Sequence, residues 1–84
     1  MTEAEIVSRT RSYIKENFLY ARPDFELDDE AGLLGLGIID SMGVMELIEF
    51  IQTEFRIEIA DDDITEDNLG TVAAISRYVV ARAA

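Results

Sequence analysis

LLGLGIIDSMGVMEL, residues 33–47, is the segment from which the architecture of the chain can be worked out. The residues before Asp40 are rich in Gly and Leu, and after it apolar side chains recur at helical spacing. That spacing predicts an amphipathic helix over residues 41–55, with Asp40 as the N-cap whose carboxylate accepts a hydrogen bond from the N–H of Met42 or Gly43. The predicted core face of this helix consists of Val44, Leu47, Ile48, Ile51 and Phe55.

Ser41 then becomes the first residue of the helix, beside unpaired N–H groups and the positive end of the helix dipole. Two interpretations of this serine are open from the residues alone. An Asp-Ser pair before a helix usually serves only as capping chemistry. Alternatively, the hydroxyl carries a covalent group with a phosphate, which the helix end would stabilise by about 0.3–1 kcal/mol if exposed.

The outer face of the same helix allows two interpretations as well. Met42 and Met45 either fill gaps at the margin of the core or form an exposed, adaptable apolar patch for partners. Glu46 and Glu49 lie on this outer face. Gly43 weakens the first helical turn by up to ~1 kcal/mol relative to Ala, and the sequence does not decide whether it gives partners room or is merely tolerated.

Helical periodicity also appears before and after this helix. Residues 2–19 begin with Thr2 and Glu5 at the spacing of a capping box. The predicted inward-facing residues of this first helix are Ile6, Tyr13, Ile14 and Phe18. Gly70 is predicted to end a short third helix over residues 65–69, and Thr71 to cap a fourth helix. The predicted inward-facing residues of the fourth helix are Val72, Ile75, Tyr78 and Val79. Residues 81–84 are expected to fray.

The remaining segments lack a helical period. Residues 20–39 are predicted to form a long loop that packs across the helices through its Phe and Leu side chains. Residues 56–60 are predicted to be an extended connector, with Ile57 and Ile59 turned inward. The acidic run Asp61-Asp62-Asp63 lacks the pattern of an EF-hand, and a solvated cluster or loose divalent-ion binding are both open. The predicted fold is all-α: a small four-helix bundle with three long helices, one short helix and a long first loop, in a single domain over residues 1–84.

Composition excludes several classes of function. Eighteen acidic residues against seven basic ones give a net charge of −11, which argues against binding of nucleic acid or anionic membranes. The charge either favours basic docking patches on protein partners or only provides solubility. The chain has no Cys and no His, so ordinary zinc sites, Cys nucleophiles and His bases are excluded; we predict no metal site and no catalytic residues. No apolar run approaches the roughly 20 residues of a membrane span and no signal peptide is evident, so we expect a cytoplasmic monomer.

The run Leu36-Gly37-Ile38-Ile39-Asp40-Ser41-Met42, followed by Glu46-Leu47 and Glu54-Phe55, resembles the acyl and peptidyl carrier protein family. The similarity extends from about residue 33 to residue 79. In that family, the serine of an Asp-Ser-Leu/Met motif receives 4′-phosphopantetheine from coenzyme A. The resemblance therefore implies a non-catalytic carrier of thioester intermediates whose Ser41 is modified by a separate phosphopantetheinyl transferase. It also implies that Asp40 helps to position that reaction, and that enzymes with basic docking patches bind next to the prosthetic group through Met42, Met45, Glu46 and Glu49.

Three features of the sequence differ from the carriers of fatty-acid synthesis and bear on the type of carrier. Two residues separate Gly37 from Asp40, where those carriers generally have one, and Met42 replaces the usual Leu. The segment from Ile59 to Val72 is also longer than in those carriers. These features resemble stand-alone carriers of secondary metabolism or aminoacyl transfer, and acyl and aminoacyl cargo both remain open. The alternative function is an unmodified acidic helical adaptor, in which Ser41 only supports the start of the helix.

Overall fold

A computed structural model describes residues 1–83, and within them the chain is helical with no strand. The helices are α1 (Glu3–Phe18), α2 (Ser41–Phe55), α3 (Glu66–Leu69) and α4 (Val72–Ala83), and a single 3₁₀ turn occupies Asp61–Asp63. The predicted all-α bundle of three long helices and one short helix is confirmed. Helix α4 continues through Ala83, where we expected fraying, and Ala84 lies outside the described residues.

Helix α1 begins at the predicted capping box. The Thr2 side chain accepts a hydrogen bond from the Glu5 N–H over 3.2 Å, and the Glu5 carboxylate accepts one from the Thr2 N–H. This second contact holds the pKa of the Glu5 carboxyl below its usual value, with the backbone hydrogen bond from Thr2 as the largest cause. Ile6 and Ile14 are buried as predicted. Thr10 is also fully buried between them, and its hydroxyl has no hydrogen-bond partner among the described residues.

An aromatic stack joins α1 to α2. The rings of Tyr13 and Phe50 lie 4.0 Å apart between centroids and 10° from parallel, while Phe18 and Phe55 meet this pair edge-on. The sequence placed Tyr13, Phe18 and Phe55 on core faces but left Phe50 out. Phe50 lies at the edge of the core face of α2. Its ring is partly buried because it stacks on the Tyr13 ring of α1, a contact that the spacing within α2 does not reveal.

The long loop is fastened to both α1 and α4, so it is part of the fold and not a free linker. The Arg11 guanidinium donates to the carbonyl of Leu27 and, over 2.6 Å, to the carboxylate of Asp29. The Asp29 carbonyl in turn accepts a hydrogen bond from the N–H of Ala73 over 2.9 Å. Leu27 and Leu33 place the loop in the core, each only 2–3% exposed.

Beyond α2, residues 57–60 form neither helix nor strand, with Ile59 buried and Ile57 half-buried as predicted. Arg56, which we assigned to the extended connector, instead takes a left-handed conformation with φ 55° and ends α2 as its C-cap. Thr65 caps α3 and Thr71 caps α4 through side-chain hydrogen bonds to the N–H groups of Asn68 and Ala74. Gly70 ends α3 as predicted, but in a right-handed conformation with φ −79°. Its requirement for glycine is spatial, because a Cβ there would collide with the backbone carbonyl of Glu66.

Candidate functional site

The N-terminus of α2 is built as the sequence predicted. Asp40 Oδ1 accepts a hydrogen bond from the N–H of Gly43 over 2.7 Å, and the Asp40 carbonyl accepts the first helical bond, from Val44. Ser41 and Met42 follow the cap directly and are exposed. Within the described part of the chain, their N–H groups donate no hydrogen bond. This end of α2 therefore presents a free hydroxyl and two unpaired donors to solvent at the positive end of the helix dipole.

The residues just before the cap hold this helix end in place. Gly37 turns the chain with φ 70°, a left-handed conformation that glycine adopts without strain. Both Ile38 and Ile39 then donate their N–H groups to the carbonyl of Leu33 and bury their side chains, at 5% and 1% exposure. Ser41 therefore lies two residues beyond a segment anchored by hydrogen bonds and core packing.

Gly43 lies on the inner side of the first turn. A Cβ at this position would come within 2.8 Å of Phe18 Cε1 and 2.9 Å of Ile39 Cγ2. Real Cβ atoms do not approach other atoms so closely, so glycine allows α2 to pack directly on α1 and the loop. The structure therefore gives this glycine a packing role, which the sequence did not suggest: it makes room for the contact of α2 with α1 and the loop.

The outer face of α2 carries exposed apolar and acidic side chains together. Met42 is 80% exposed and Met45 is 64% exposed, so neither is filler in the core. Glu46 and Glu49 are also exposed and form no ion pair; the two ion pairs in the described residues are Arg9–Glu54 and Arg11–Asp29. Burial raises the pKa of the Tyr13 phenol, and the charges of Glu46 and Glu49 raise it further. Glu46 and Glu49 thus lie beside Tyr13, on the flank of α2 that faces α1.

An apolar cleft of about 140 Å³ opens between α2, the long loop and α3. Val44, one turn beyond Ser41, forms part of its α2 wall together with Leu47 and Ile48. Thr65 and Glu66 on the α3 side are the polar residues among those that line it. The sequence did not predict this cleft, because its walls come from three segments that periodicity treats separately.

Other features bear on metals and membranes. Among residues 1–83, no group of three or more carboxylate side chains is placed so that it could hold a metal ion. No helix of the described chain has the length and apolarity needed to cross a membrane.

With this geometry in place, comparison with known proteins assigns the family. Residues 16–79 match the family described as "Phosphopantetheine attachment site". The chain belongs to this family of carrier proteins. It is also similar to the probable acyl carrier protein PigG of Serratia sp. (strain ATCC 39006), with 29% identity over 72 residues, which cover 86% of this chain and 82% of that protein.

Membership fixes the class of activity. The carrier protein is not an enzyme; a phosphopantetheinyl transferase modifies it, and its prosthetic group is covalently attached 4′-phosphopantetheine. It interacts with that transferase and with biosynthetic enzymes. The matched residues span the last turn of α1, the long loop, α2, α3 and most of α4. The family match therefore covers every segment that surrounds the N-terminus of α2.

Proposed function

We propose that Ser41 is the residue to which 4′-phosphopantetheine is attached. The observation that carries this assignment is the exposed Ser41 hydroxyl at the start of a 15-residue helix whose first two N–H groups have no partner within the described residues. A phosphodiester at Ser41 Oγ would face these donors and the positive end of the dipole. The neighbouring Asp40 carboxylate is held by the hydrogen bond from the Gly43 N–H, so it leaves the N–H groups of Ser41 and Met42 free for the phosphodiester.

In such a carrier, the group attached to Ser41 and the neighbouring Asp40 would have different roles. The attached group supplies a flexible chain that ends in a thiol, on which acyl or aminoacyl intermediates are held as thioesters. Asp40 fixes the first turn of α2 and thereby orients the Ser41 hydroxyl toward the transferase. Tethering keeps each intermediate at high effective concentration near successive enzymes, which is the physical advantage of a carrier.

Mass spectrometry tests the attachment site. The purified protein, incubated with coenzyme A and a broad-specificity phosphopantetheinyl transferase, should gain the mass of one phosphopantetheine group. The Ser41→Ala variant should keep its starting mass, whereas Ser12→Ala, which removes an exposed hydroxyl from α1, should be modified like the wild type. Modification of Ser41→Ala would refute the site, and failure of the wild type with several transferases would favour the unmodified acidic adaptor.

The outer face of α2 is the surface on which we expect partner enzymes to dock. Met42 and Met45 offer exposed, flexible apolar contacts directly beside the attachment residue. Glu46 and Glu49 continue the same face as unpaired carboxylates, which suit Lys and Arg side chains on a partner. Apolar anchors within a ring of charge are typical of surfaces that bind several partners.

The cleft limits the cargo that the protein itself can shelter. Its volume of about 140 Å³ is close to the roughly 150 Å³ of a dry protein cavity that binds benzene. We therefore propose that this protein carries small acyl or aminoacyl groups whose apolar part has about six carbon atoms or fewer. Loading Ser41 with acyl groups of increasing length should shift the NMR signals of the Val44 and Leu47 methyl groups for short chains. The added shifts should stop growing once the cleft is full.

The departures from the carriers of fatty-acid synthesis support a stand-alone role in a specialised biosynthetic pathway. The two residues between Gly37 and Asp40, Ile38 and Ile39, are both buried and bonded to the Leu33 carbonyl, so the extra residue is built into the fold. Mass spectrometry of the intact thioester form, isolated from the native host, would identify the cargo. A long-chain fatty acyl group would contradict the proposed size limit.

A further inference from the structure

The side of the cleft opposite α2 is lined by Ile64, Thr65, Glu66, Leu69 and Gly70, which we call the cleft wall. One hydrogen bond joins α4 to the residue that precedes this wall. Tyr78 Oη donates to Asp63 Oδ2 over 2.8 Å. Asp63 directly precedes Ile64, where the wall begins. The Asp63 carbonyl also accepts a hydrogen bond from Asn68 Nδ2 over 2.9 Å, so Asp63 is tied to α3 as well. Movement of Asp63 is therefore expected to move Ile64 and α3, which form the cleft wall.

Helix α3 packs on α4, but few hydrogen bonds hold the wall in place. In the part of the chain that the structure describes, two hydrogen bonds connect residues 60–70 to the rest of the molecule: Tyr78 to Asp63, and the Leu33 N–H to the Gly70 carbonyl. None of the residues in the 3₁₀ turn is buried, and Ile64 remains 37% exposed. Leu69, by contrast, is buried beside the Gly70 bond. The segment is thus anchored at its Gly70 end and, at its other end, by buried Ile59, and Asp63 fastens the exposed part between them.

The Tyr78 side chain is well placed to remain a donor. The Arg82 guanidinium lies 5.9 Å from the centre of the Tyr78 ring and donates to the Glu58 carbonyl, so it also braces the connector before the turn. Burial raises the pKa of the Tyr78 phenol, and the hydrogen bond and charge of Asp63 raise it further. The phenol therefore keeps its proton at neutral pH.

We propose that Tyr78 is a positioning residue, which holds residues 61–66 against the open side of the cleft through its hydrogen bond to Asp63. When this bond breaks, the wall moves outward between its two fixed ends, buried Ile59 and the Gly70 carbonyl bonded to Leu33, and the cleft opens between Ile64 and Val44. The consequence for cargo rests on the proposed function: a thioester group sheltered in the cleft becomes accessible to water and to partner enzymes when the wall moves.

Amide hydrogen exchange of the unmodified protein tests the positioning role without any attached group. Tyr78→Phe and Asp63→Ala both remove the bond, and the N–H groups of Ile64, Asn68 and Leu69 should exchange about 3–10 times faster. Asp63→Asn keeps an acceptor oxygen and should restore slow exchange. Tyr20→Phe removes a hydroxyl from an exposed ring and serves as the matched control.

The same variants have outcomes that would overturn the proposal. Unchanged exchange over residues 61–69 in Tyr78→Phe would show that the bond does not hold the wall. Equally faster exchange throughout the buried helices α1 and α2 would show that Tyr78 only supports global stability.

A second measurement addresses the cargo. Wild type and Tyr78→Phe are loaded with a butanoyl thioester, and its cleavage by hydroxylamine should be faster in the variant by a factor similar to that for amide exchange. Equal cleavage rates combined with faster exchange would refute the gating of cargo. Failure to load Ser41 at all would instead refute the proposed attachment site, and the exchange result would still decide the role of Tyr78.

Discussion

The absence of a side chain at Gly43 determines how closely α2 packs on α1 and on the loop before it. Alanine is ordinarily the better residue in a helix, by about 1 kcal/mol. At Gly43 this preference is reversed, because the added Cβ would overlap the Phe18 ring and the Ile39 methyl group. Ile39 is 1% exposed, so an added methyl group requires a shift of the packed Ile39 or Phe18 side chain.

Gly43→Ala should therefore destabilise the protein by about 1–3 kcal/mol, as overpacking does in other cores. The midpoint of urea unfolding measures this change. Gly32→Ala is the control, because a Cβ there has no atom within 4 Å, and its midpoint should change little. A stabilised Gly43→Ala protein would show that α2 can shift away from α1 at no cost.

At the scale of an element, the start of α2 depends on the Asp40 cap. Asp40→Ala should lose about 0.5–2 kcal/mol of stability, since the Gly43 N–H loses its acceptor. Asp40→Asn keeps a capping oxygen and should remain close to the wild type in urea unfolding. Measuring transferase loading of both variants separates the roles of Asp40: a slow but stable Asp40→Asn protein indicates a direct role of the charge. Normal loading of Asp40→Asn would restrict Asp40 to capping.

The contact between α4 and the 3₁₀ turn predicts a pH dependence. Because the folded pKa of Tyr78 is raised, its contribution to stability is complete below the unfolded pKa of about 10 and is lost as pH rises through the folded pKa. Tyr78→Phe should be less stable than the wild type by about 0.5–1.5 kcal/mol at neutral pH. This difference should shrink above pH ~10 in urea unfolding series. A difference that stays constant to higher pH would contradict a stabilising protonated phenol.

For the whole molecule, the distribution of charge matters more than its total of −11. Three arginines on α1 and its following loop are engaged within the protein: Arg9 with Glu54, Arg11 with Asp29, and Arg22 over the ring of Phe25. The outer face of α2 has no such compensation. We therefore expect the outer face of α2 to contribute to the long-range attraction of basic partners.

Glu46→Lys combined with Glu49→Lys should slow transferase loading at low salt by about tenfold or more, with the helical content unchanged. The control is Glu26→Lys with Glu58→Lys, which changes the net charge equally at exposed positions outside α2. Loading rates measured across salt concentrations should converge as screening increases. Equal slowing in both double variants would indicate that only the net charge matters.

Local patterns were sufficient for much of this fold. The caps at Thr2, Asp40 and Thr71 were predicted because each depends on residues within three positions along the chain. The exposed face of α2 followed from periodicity in the same way. The sequence could not show the close approach at Gly43 or the bond between Tyr78 and Asp63, since both depend on how separate segments meet in space.

The burial of Ile38 and Ile39 immediately before the cap has a mechanical consequence. If the cargo is attached at Ser41, the backbone before this residue is held in place, and the cargo moves by rotation about the bonds of the Ser41 side chain and of the tether. The bundle is then a fixed attachment point, and the length of the tether sets the outer limit of the region that the cargo can visit. An enzyme that binds the outer face of α2 therefore fixes the position of Ser41 relative to itself. Its active site must then lie within one tether length of Ser41.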